Sequence, residues 1–319
     1  RPARVPNRPM TATAARRDRP VQTGPCPVCD GTTRALFTVH GHTIRHCPHC
    51  DHRFAADAVR PDHVGAVYGD DYFTGGGAGY PDYLAGAAML RAHGRRYGQL
   101  VRPYLTPGRV LDVGAAAGFV LQGLADAGWQ GVGLEPNAAM AAHARGVLGL
   151  DVRVGTLEAP GDLRADDPGA GDGAHPGFDL VAMIQVVAHF HDLRTAFENA
   201  RRLTRPGGCW LIETWDSSSL SARLLGRRWH EYSPPSVLHM FSRGSLTRLA
   251  AAFDMEPVAG GRPAKRISGA HVKSLLGYKL GAGAAAAPLR AALRLLPDRV
   301  ELPYPSEDLF WTLFRRRAA

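Results

Sequence analysis

The chain has 319 residues, 45% of them hydrophobic, which is enough for one large domain with smaller accessory parts. No apolar run approaches the roughly 18 residues of a membrane-spanning helix, so a membrane partner is not predicted. The net charge of +9 would suit nucleic-acid binding, yet residues 1–20 and 315–317 supply eight of those nine charges. The rest of the chain is nearly neutral, and nucleic acid is therefore not an expected partner.

The first 21 residues are predicted to be a disordered basic tail. Residues 1–20 contain six arginines and one aspartate, and they lack the apolar segment of a secretory signal. We therefore expect a cytoplasmic protein.

Residues 22–56 contain two C-x-x-C pairs, Cys26 with Cys29 and Cys47 with Cys50, separated by 17 residues. This spacing is typical of a four-thiolate zinc ribbon, and a closed four-cysteine site is structural. We predict that these four cysteines hold Zn²⁺. Disulfides are the alternative, and the missing secretory signal argues against them. Neighbouring histidines are possible replacement ligands, although four thiolates already complete a tetrahedron: His40, His42, His46, His49 and His52.

Residues 57–105 are predicted to connect the ribbon to the main domain through a helix between Tyr83 and Tyr104. Aromatic residues precede and open this helix, and we expect them to close over a ligand held by the main domain: Tyr72, Phe73, Tyr80 and Tyr83. Core packing of these aromatics is an equally good interpretation.

The most informative stretch begins with the apolar run Val110–Val113, a predicted buried strand that leads into Asp112-x-Gly114-x-x-x-Gly118. A predicted helix follows, and then a second apolar run that ends on Glu135. Strand, glycine turn, helix, strand and carboxylate form the half of a Rossmann fold that holds an adenosine. Glycines admit the ligand because a Cβ would collide with it, and Glu135 would accept both ribose hydroxyls. The motif alone leaves open an ordinary turn with glycine at a tight bend.

The glycine spacing helps to distinguish between adenosine cofactors. A dinucleotide site has G-x-G-x-x-G, with the pyrophosphate at the helix N-terminus. Here the two glycines are four residues apart, and the preceding Asp112 suits a cationic methionine group better than a pyrophosphate. The stretch resembles motif I of class I S-adenosylmethionine (SAM) methyltransferases, D/E-x-G-x-G-x-G, with Ala116 in place of the middle glycine.

Further signatures of that family follow in order along the chain. Phe178–Val181 resembles the strand-4 signature, and Met183–Leu193 resembles the segment V-[IL]-E-H-[VL]-x-D-P. Pro206–Gly208 resembles the turn before strand 5, which is predicted at Trp210–Thr214. The resemblance covers most of residues 22–314 and points to zinc-ribbon-bearing methyltransferases of bacterial secondary-metabolite and glycan pathways.

The resemblance implies an α/β fold, a Rossmann-like seven-stranded class I methyltransferase sheet preceded by the small zinc ribbon. This SAM-binding domain would occupy residues 106–319, with Asp308–Phe314 as its last, antiparallel strand. The Ala/Leu/Arg-rich stretch at 263–303 predicts one or two inserted helices that would serve as a lid. Lys265 and Arg266 at its start are interpreted as a solvated turn.

The resemblance also implies the site residues. The expected contacts with SAM are Asp112, Gly114, Ala115, Gly118, Glu135, Pro136, Leu157 and Gln185, together with Tyr72 and Tyr80 from the connector. His189 matches the histidine of the family's E-H pair, and its pKa range suits a general base. Helix capping or packing is the alternative role. His239 is a second, weaker catalytic candidate.

Two departures from the family concern the acceptor. Ala188 replaces an acid that ubiquinone-type O-methyltransferases link to divalent-metal use, and Ser236-Val237 replaces a Glu-His pair over the acceptor pocket. We predict a SAM-dependent methyltransferase that acts on an oxygen or nitrogen of a small natural-product or sugar-like molecule. The alternatives are an RNA methyltransferase that binds through the ribbon, and a SAM-binding protein that does not methylate. The sequence does not predict the oligomeric state.

Overall fold

A computed structural model describes residues 24–55, 63–69, 73, 83–163, 177–270, 272–273, 287–298, 300–304 and 306–317. The predicted basic tail, Tyr72 and Tyr80 lie outside these residues. The strands are β1 (Arg34–Val39), β2 (His42–His46), β3 (Arg53–Ala55), β4 (Arg109–Val113), β5 (Gln130–Glu135), β6 (Asp151–Val154), β7 (Phe178–Ile184), β8 (Thr204–Trp215), β9 (His239–Met240), β10 (Met255–Gly261), β11 (Arg266–Ser268), β12 (Glu301–Pro303) and β13 (Leu309–Arg316). The α-helices are α1 (His63–Val67), α2 (Ala87–Val101), α3 (Phe119–Asp126), α4 (Ala138–Leu148), α5 (Leu193–Leu203), α6 (Leu220–Leu225), α7 (Arg243–Ala251) and α8 (Ala287–Arg294).

Seven strands form the main sheet in the order β10-β13-β8-β7-β4-β5-β6. Strands β4 to β8 pair in parallel, and β13 is antiparallel to both of its neighbours. The predicted seven-stranded sheet with a final antiparallel strand is therefore confirmed. Parallel strands are covered on both faces, which explains why β4 is buried along its whole length and consists mostly of apolar residues.

The chain order reverses at β4, which lies between β5 and β7. Loops that follow neighbouring parallel strands then run in opposite directions and leave a crevice at the carboxyl ends of the strands. This is where the acidic and glycine residues singled out in the sequence are brought together.

The ribbon forms a second, smaller sheet in the order β1-β2-β3-β9. Its first three strands come from the predicted ribbon, whereas β9 comes from the main domain. Strand β3 pairs antiparallel with β9, so that Arg53 lies opposite Met240 and Phe54 lies opposite His239. The ribbon is thus joined to the main domain by a continuous backbone ladder.

Two sequence interpretations differ from the structure. The described part of 263–303 contains α8, but it also contains a two-stranded ladder of β11 and β12 that the prediction missed. Strand β8 begins at Thr204, before the Pro206–Gly208 turn, and not at Trp210. Among the helices in the described parts of the chain, none has the length and apolar character needed to cross a membrane.

Helix α2 packs on α3 with backbone against backbone. A Cβ added at Gly94 would lie 2.1 Å from the carbonyl oxygen of Val120, and one added at Gly123 would lie 2.1 Å from that of Arg91. Only glycine permits this approach, and it fixes the position of the α2 face that carries His93 and Tyr97.

We expect Gly94→Ala to lower the free energy of unfolding by about 1–3 kcal/mol, because the added methyl forces the helices apart. Gly146→Ala is the matched control at an exposed position of α4, where nothing lies within 4 Å of the new Cβ. It should raise stability by about 1 kcal/mol through helix propensity. Urea denaturation measures both, and equal effects would contradict the packing argument.

Candidate functional site

A pocket opens at the carboxyl ends of β4, β5 and β7. Gly114, Ala116 and Gly118 in the turn after β4 have positive φ values of 74°, 46° and 84°. Glycine adopts this left-handed conformation freely, whereas alanine does so at a cost of about 1–2 kcal/mol. At Ala116 the backbone N–H donates to Glu135 Oε2 at 2.8 Å, and this bond helps to hold the turn.

Glu135 ends β5 with a buried carboxylate that holds two turns together. Its Oε2 accepts from Ala116, and its Oε1 accepts from the backbone N–H of Asn137 at 2.8 Å. Each carboxylate oxygen has a further lone pair available for a ligand. Burial raises the pKa of Glu135 to about 7, although the two backbone N–H groups oppose the shift.

Asp112 lies on the adjacent strand and is also buried, with an exposed fraction of 2%. Its Oδ2 has no hydrogen-bond partner among the residues that the structure describes. Burial, and then the nearby charge of Glu135, raises the pKa of Asp112 to about 7. A buried carboxylate without a donor is costly, and a bound cation or hydrogen-bond donor would remove that cost.

Most of the predicted cofactor contacts line this one pocket. The lining includes Asp112, Gly114, Ala115, Glu135, Pro136, Leu157 and Gln185, together with His189. Gly118 lies behind the turn, where an added Cβ would be 2.8 Å from Leu150. Of the predicted aromatic cover, Phe73 and Tyr83 line the pocket and meet edge to face, with ring centroids 5.5 Å apart.

The pocket wall also contains a charged cluster that was not predicted from the sequence. It is centred on Glu213, near the end of β8. Its fully buried carboxylate accepts from Tyr97 Oη at 2.8 Å and from Gln185 Nε2 at 2.9 Å, and pairs with Lys265 Nζ at 2.5 Å. Interpreting Lys265 as part of a solvated turn was therefore wrong. Nothing local in the sequence reveals a partner 52 positions earlier in the chain.

Glu213 also holds Gln185 in an unusual backbone conformation. Gln185 has a φ of 60°, and its N–H donates to the carbonyl oxygen of Glu213 at 2.9 Å. Strained residues of this kind persist where neighbouring groups fix them, and they concentrate at functional sites. Here one residue fixes both the backbone and the side chain of Gln185.

His189 is half-buried at the edge of the pocket in a short 3-10 turn, Val187–His189. Its Nδ1 lies 2.7 Å from the carbonyl oxygen of Ser236 and must donate to it. Burial lowers the pKa of His189, and hydrogen bonds to the backbone of Ser236 and Gln185 oppose this effect. The ring is therefore neutral near pH 7, with carbonyl groups placed to stabilise its protonated form.

The other catalytic candidate, His239, does not line the pocket. It lies in the β3–β9 ladder, where its Nε2 is 3.0 Å from the carbonyl oxygen of Phe190 and its Nδ1 is 3.1 Å from His52 Nε2. Both ring nitrogens are thus occupied by protein groups, and the sequence could not show this because the partners are distant along the chain. His239 has a structural position between the ribbon and the turn that carries His189.

The four ribbon cysteines form one cluster. Their sulfur atoms all lie within 4.8 Å of one another, with Cys26 and Cys50 3.6 Å apart and Cys29 and Cys47 3.5 Å apart. Zinc–sulfur bonds of about 2.3 Å in a tetrahedron place sulfurs about 3.8 Å apart, so the donor set fits Zn²⁺. A disulfide needs sulfurs about 2.05 Å apart, and none of the five cysteines forms one.

We expect the purified protein to contain about one zinc ion per chain, and Cys47→Ser to lower that content by removing a thiolate. Cys209→Ala is the control, because Cys209 is buried in β8 and lies outside the cluster. Elemental analysis measures both variants. Unchanged zinc in Cys47→Ser would contradict the predicted site.

Lys265→Met should lower the free energy of unfolding by about 3 kcal/mol, because it leaves the buried Glu213 carboxylate without its cation. Lys273→Met is the matched control. Lys273 also pairs at 2.5 Å, but with Asp298, whose side chain is 69% exposed. Its loss should cost less than about 1 kcal/mol. Denaturant titrations measure both variants. Similar losses of unfolding free energy would show that burial of the carboxylate does not determine the cost of removing its lysine.

Residues 89–259 match the family described as "Methyltransferase domain". A ubiquinone biosynthesis O-methyltransferase of Bradyrhizobium sp. (strain ORS 278) is 29% identical over 141 residues, which are 39% of this chain and 51% of that protein. The corresponding protein of Azorhizobium caulinodans is 28% identical over 171 residues, 48% of this chain and 61% of that one. The chain thus spans between about half and three fifths of the length of these relatives.

Two similar solved structures were also found. A 1,6-didemethyltoxoflavin-N1-methyltransferase of Burkholderia thailandensis is 15% identical, with 89% of this chain and 99% of that chain covered and a TM-score of 0.47. A possible histamine N-methyltransferase of Thermotoga maritima is 19% identical, with 74% and 95% covered and a TM-score of 0.47.

Proposed function

Because the chain belongs to the methyltransferase domain family, we propose that it transfers the methyl group of SAM to an oxygen or nitrogen of a small molecule. The observation that carries this proposal is the pair of buried carboxylates, Asp112 and Glu135, on adjacent strand ends above a left-handed glycine turn. Glu135 has spare lone pairs for two ribose hydroxyls, and the unpartnered Asp112 Oδ2 fits a cationic methionine group. SAM supplies an electrophilic methyl group when it is bound.

His189 supports the transfer in this proposal. An acceptor hydroxyl or ammonium group must lose a proton to become a good nucleophile, and a neutral imidazole can take that proton. Since Ser236 accepts the Nδ1 proton, the proton from the acceptor would go to Nε2. The charged ring that results is favoured by the same backbone carbonyls that oppose the lowering of its pKa.

Two features favour a small-molecule acceptor over RNA. The excess positive charge lies in the terminal segments and not in the ribbon or the pocket. The edge of the ribbon sheet at β3 is occupied by β9 and is not available for another partner.

Ala188 stands where ubiquinone-type relatives carry an acid, so this turn provides no carboxylate for a divalent metal.

We expect the affinity for SAM to rise about tenfold between pH 6 and pH 8, because Asp112 with a pKa near 7 must lose its proton to bind the cation. Asp112→Asn should bind weakly and without this pH dependence, whereas Asp151→Asn, at an exposed position of β6, should behave as the wild type. Calorimetric titration measures the affinities. A pH-independent wild-type affinity would contradict the role of Asp112.

The free energy of unfolding of the ligand-free protein should also depend on pH, but it should fall with rising pH where the affinity for SAM rises. The folded protein keeps a proton on Asp112 that the unfolded chain releases above about pH 4. The stability of the wild type relative to Asp112→Asn should therefore fall as pH rises from about 4 to 7, and then level off.

His189→Gln should bind SAM normally but transfer methyl groups about 10²–10⁴-fold more slowly, because glutamine can donate to Ser236 but cannot act as the base. His143→Gln, on α4 outside the pocket, is the control. The release of S-adenosylhomocysteine measures turnover with a panel of phenols, amines and glycosides. Tight SAM binding by the wild type with no turnover on any acceptor would favour the alternative that this protein does not methylate.

A further inference from the structure

The segment Ser236–Met240 lies between the ribbon and the turn that carries His189. On the ribbon side, β9 pairs with β3, and the backbone N–H of Ala55 donates to the carbonyl oxygen of Leu238 at 2.9 Å. The ribbon therefore fixes the backbone of this segment through a regular antiparallel ladder.

The opposite edge of the same segment contacts the His189 turn. The N–H of Leu238 donates to the carbonyl oxygen of Ala188 at 2.8 Å, and the carbonyl oxygen of Ser236 accepts from His189 Nδ1 at 2.7 Å. The hydroxyl of Tyr68, another pocket residue, also donates to the carbonyl oxygen of Ser236, at 3.0 Å. The position of Ser236 thus controls a hydrogen bond of the proposed base.

Two histidines extend the connection to the zinc knuckle. His239 must donate from Nε2 to the carbonyl of Phe190, so its Nδ1 accepts from His52 Nε2. His52 follows the second cysteine pair, and its carbonyl oxygen accepts from the N–H of Cys47 at 2.9 Å. A chain of hydrogen bonds therefore runs from the knuckle to both sides of the His189 turn.

We propose that the ribbon is a positioning module for His189, in which His52 and His239 fix the segment Ser236–Met240 so that the Ser236 carbonyl sets the tautomer of the base. This inference rests on the proposed function, in which His189 takes a proton from the acceptor. Which ring nitrogen of a histidine carries the proton is decided by the partner of the other nitrogen. A hydrogen bond of 2.7 Å is lost when its acceptor moves by about 1 Å. A ribbon without metal would no longer hold β3, and the tautomer of His189 would then cease to be fixed.

The test compares His239→Phe with His239→Gln. Phenylalanine keeps a planar ring but loses both hydrogen bonds, whereas glutamine can donate to Phe190 and accept from His52. His40→Asn is the control on the exposed hairpin turn of the ribbon, where a positive φ of 49° suits asparagine. The ring nitrogens of ¹⁵N-histidine-labelled protein are observed by NMR without cofactor, and His189→Gln identifies the signals of His189.

In the wild type, in His40→Asn and in His239→Gln we expect a protonated Nδ1 and an unprotonated Nε2 on His189. In His239→Phe, and in wild type stripped of metal by a chelator, we expect this pattern to be lost while the calorimetric affinity for S-adenosylhomocysteine stays unchanged. Should His239→Phe fail to fold, the chelated wild type and His239→Gln decide the question. An unaltered His189 signal after metal removal would overturn the inference. Failure of the wild type to bind SAM would contradict the proposed function and not this inference, because the signals of the His189 ring are observed in the absence of SAM.

Discussion

The geometry of the pocket depends on one buried carboxylate, that of Glu135. It accepts the N–H of Ala116 in the turn after β4 and the N–H of Asn137 at the start of α4. Asn137 in turn caps α4 through the N–H of Met140, and its side-chain amide donates to the carbonyl of Tyr68. Two strand ends, a helix start and a segment of the connector are therefore held by a single acid. The strained alanine in motif I persists because this acid holds it.

The two sides of the pocket differ in how their charges are satisfied. On the β4–β5 side, burial raises the pKa of both Asp112 and Glu135, and the charge of Glu135 raises that of Asp112 further, so that the site suits a cationic ligand. On the β8 side, Glu213 already has three donors, which keeps Tyr97, Gln185 and Lys265 in fixed positions. The first side can change its protonation when a ligand binds. The second has its charges already paired within the protein.

The parts of the fold that the sequence predicted are those encoded by short patterns. The Asp112–Gly118 turn, the acid after β5 and the antiparallel strand near Asp308–Phe314 each depend on residues close together in the chain. The ladder of β11 and β12 was missed because its strands lie more than 30 residues apart and the stretch between them has a helical composition. Lys265 and His239 were misjudged for the same reason, since their partners are distant in sequence. Periodicity describes a segment, but not what lies against it.

The ladder between β3 and β9 has a consequence for how this protein can be divided. Ile44 of the ribbon packs in one apolar cluster with residues of the main domain: Ala188, Trp229, Tyr232, Val237 and Met240. A shortened chain without the ribbon would expose this cluster beside an unpaired strand edge, a combination that promotes edge-to-edge aggregation. Although the cysteine pairs make residues 22–56 look like a detachable metal-binding module, the ribbon and the main domain share one sheet and one apolar cluster. Recombination could not exchange one without redesigning the other.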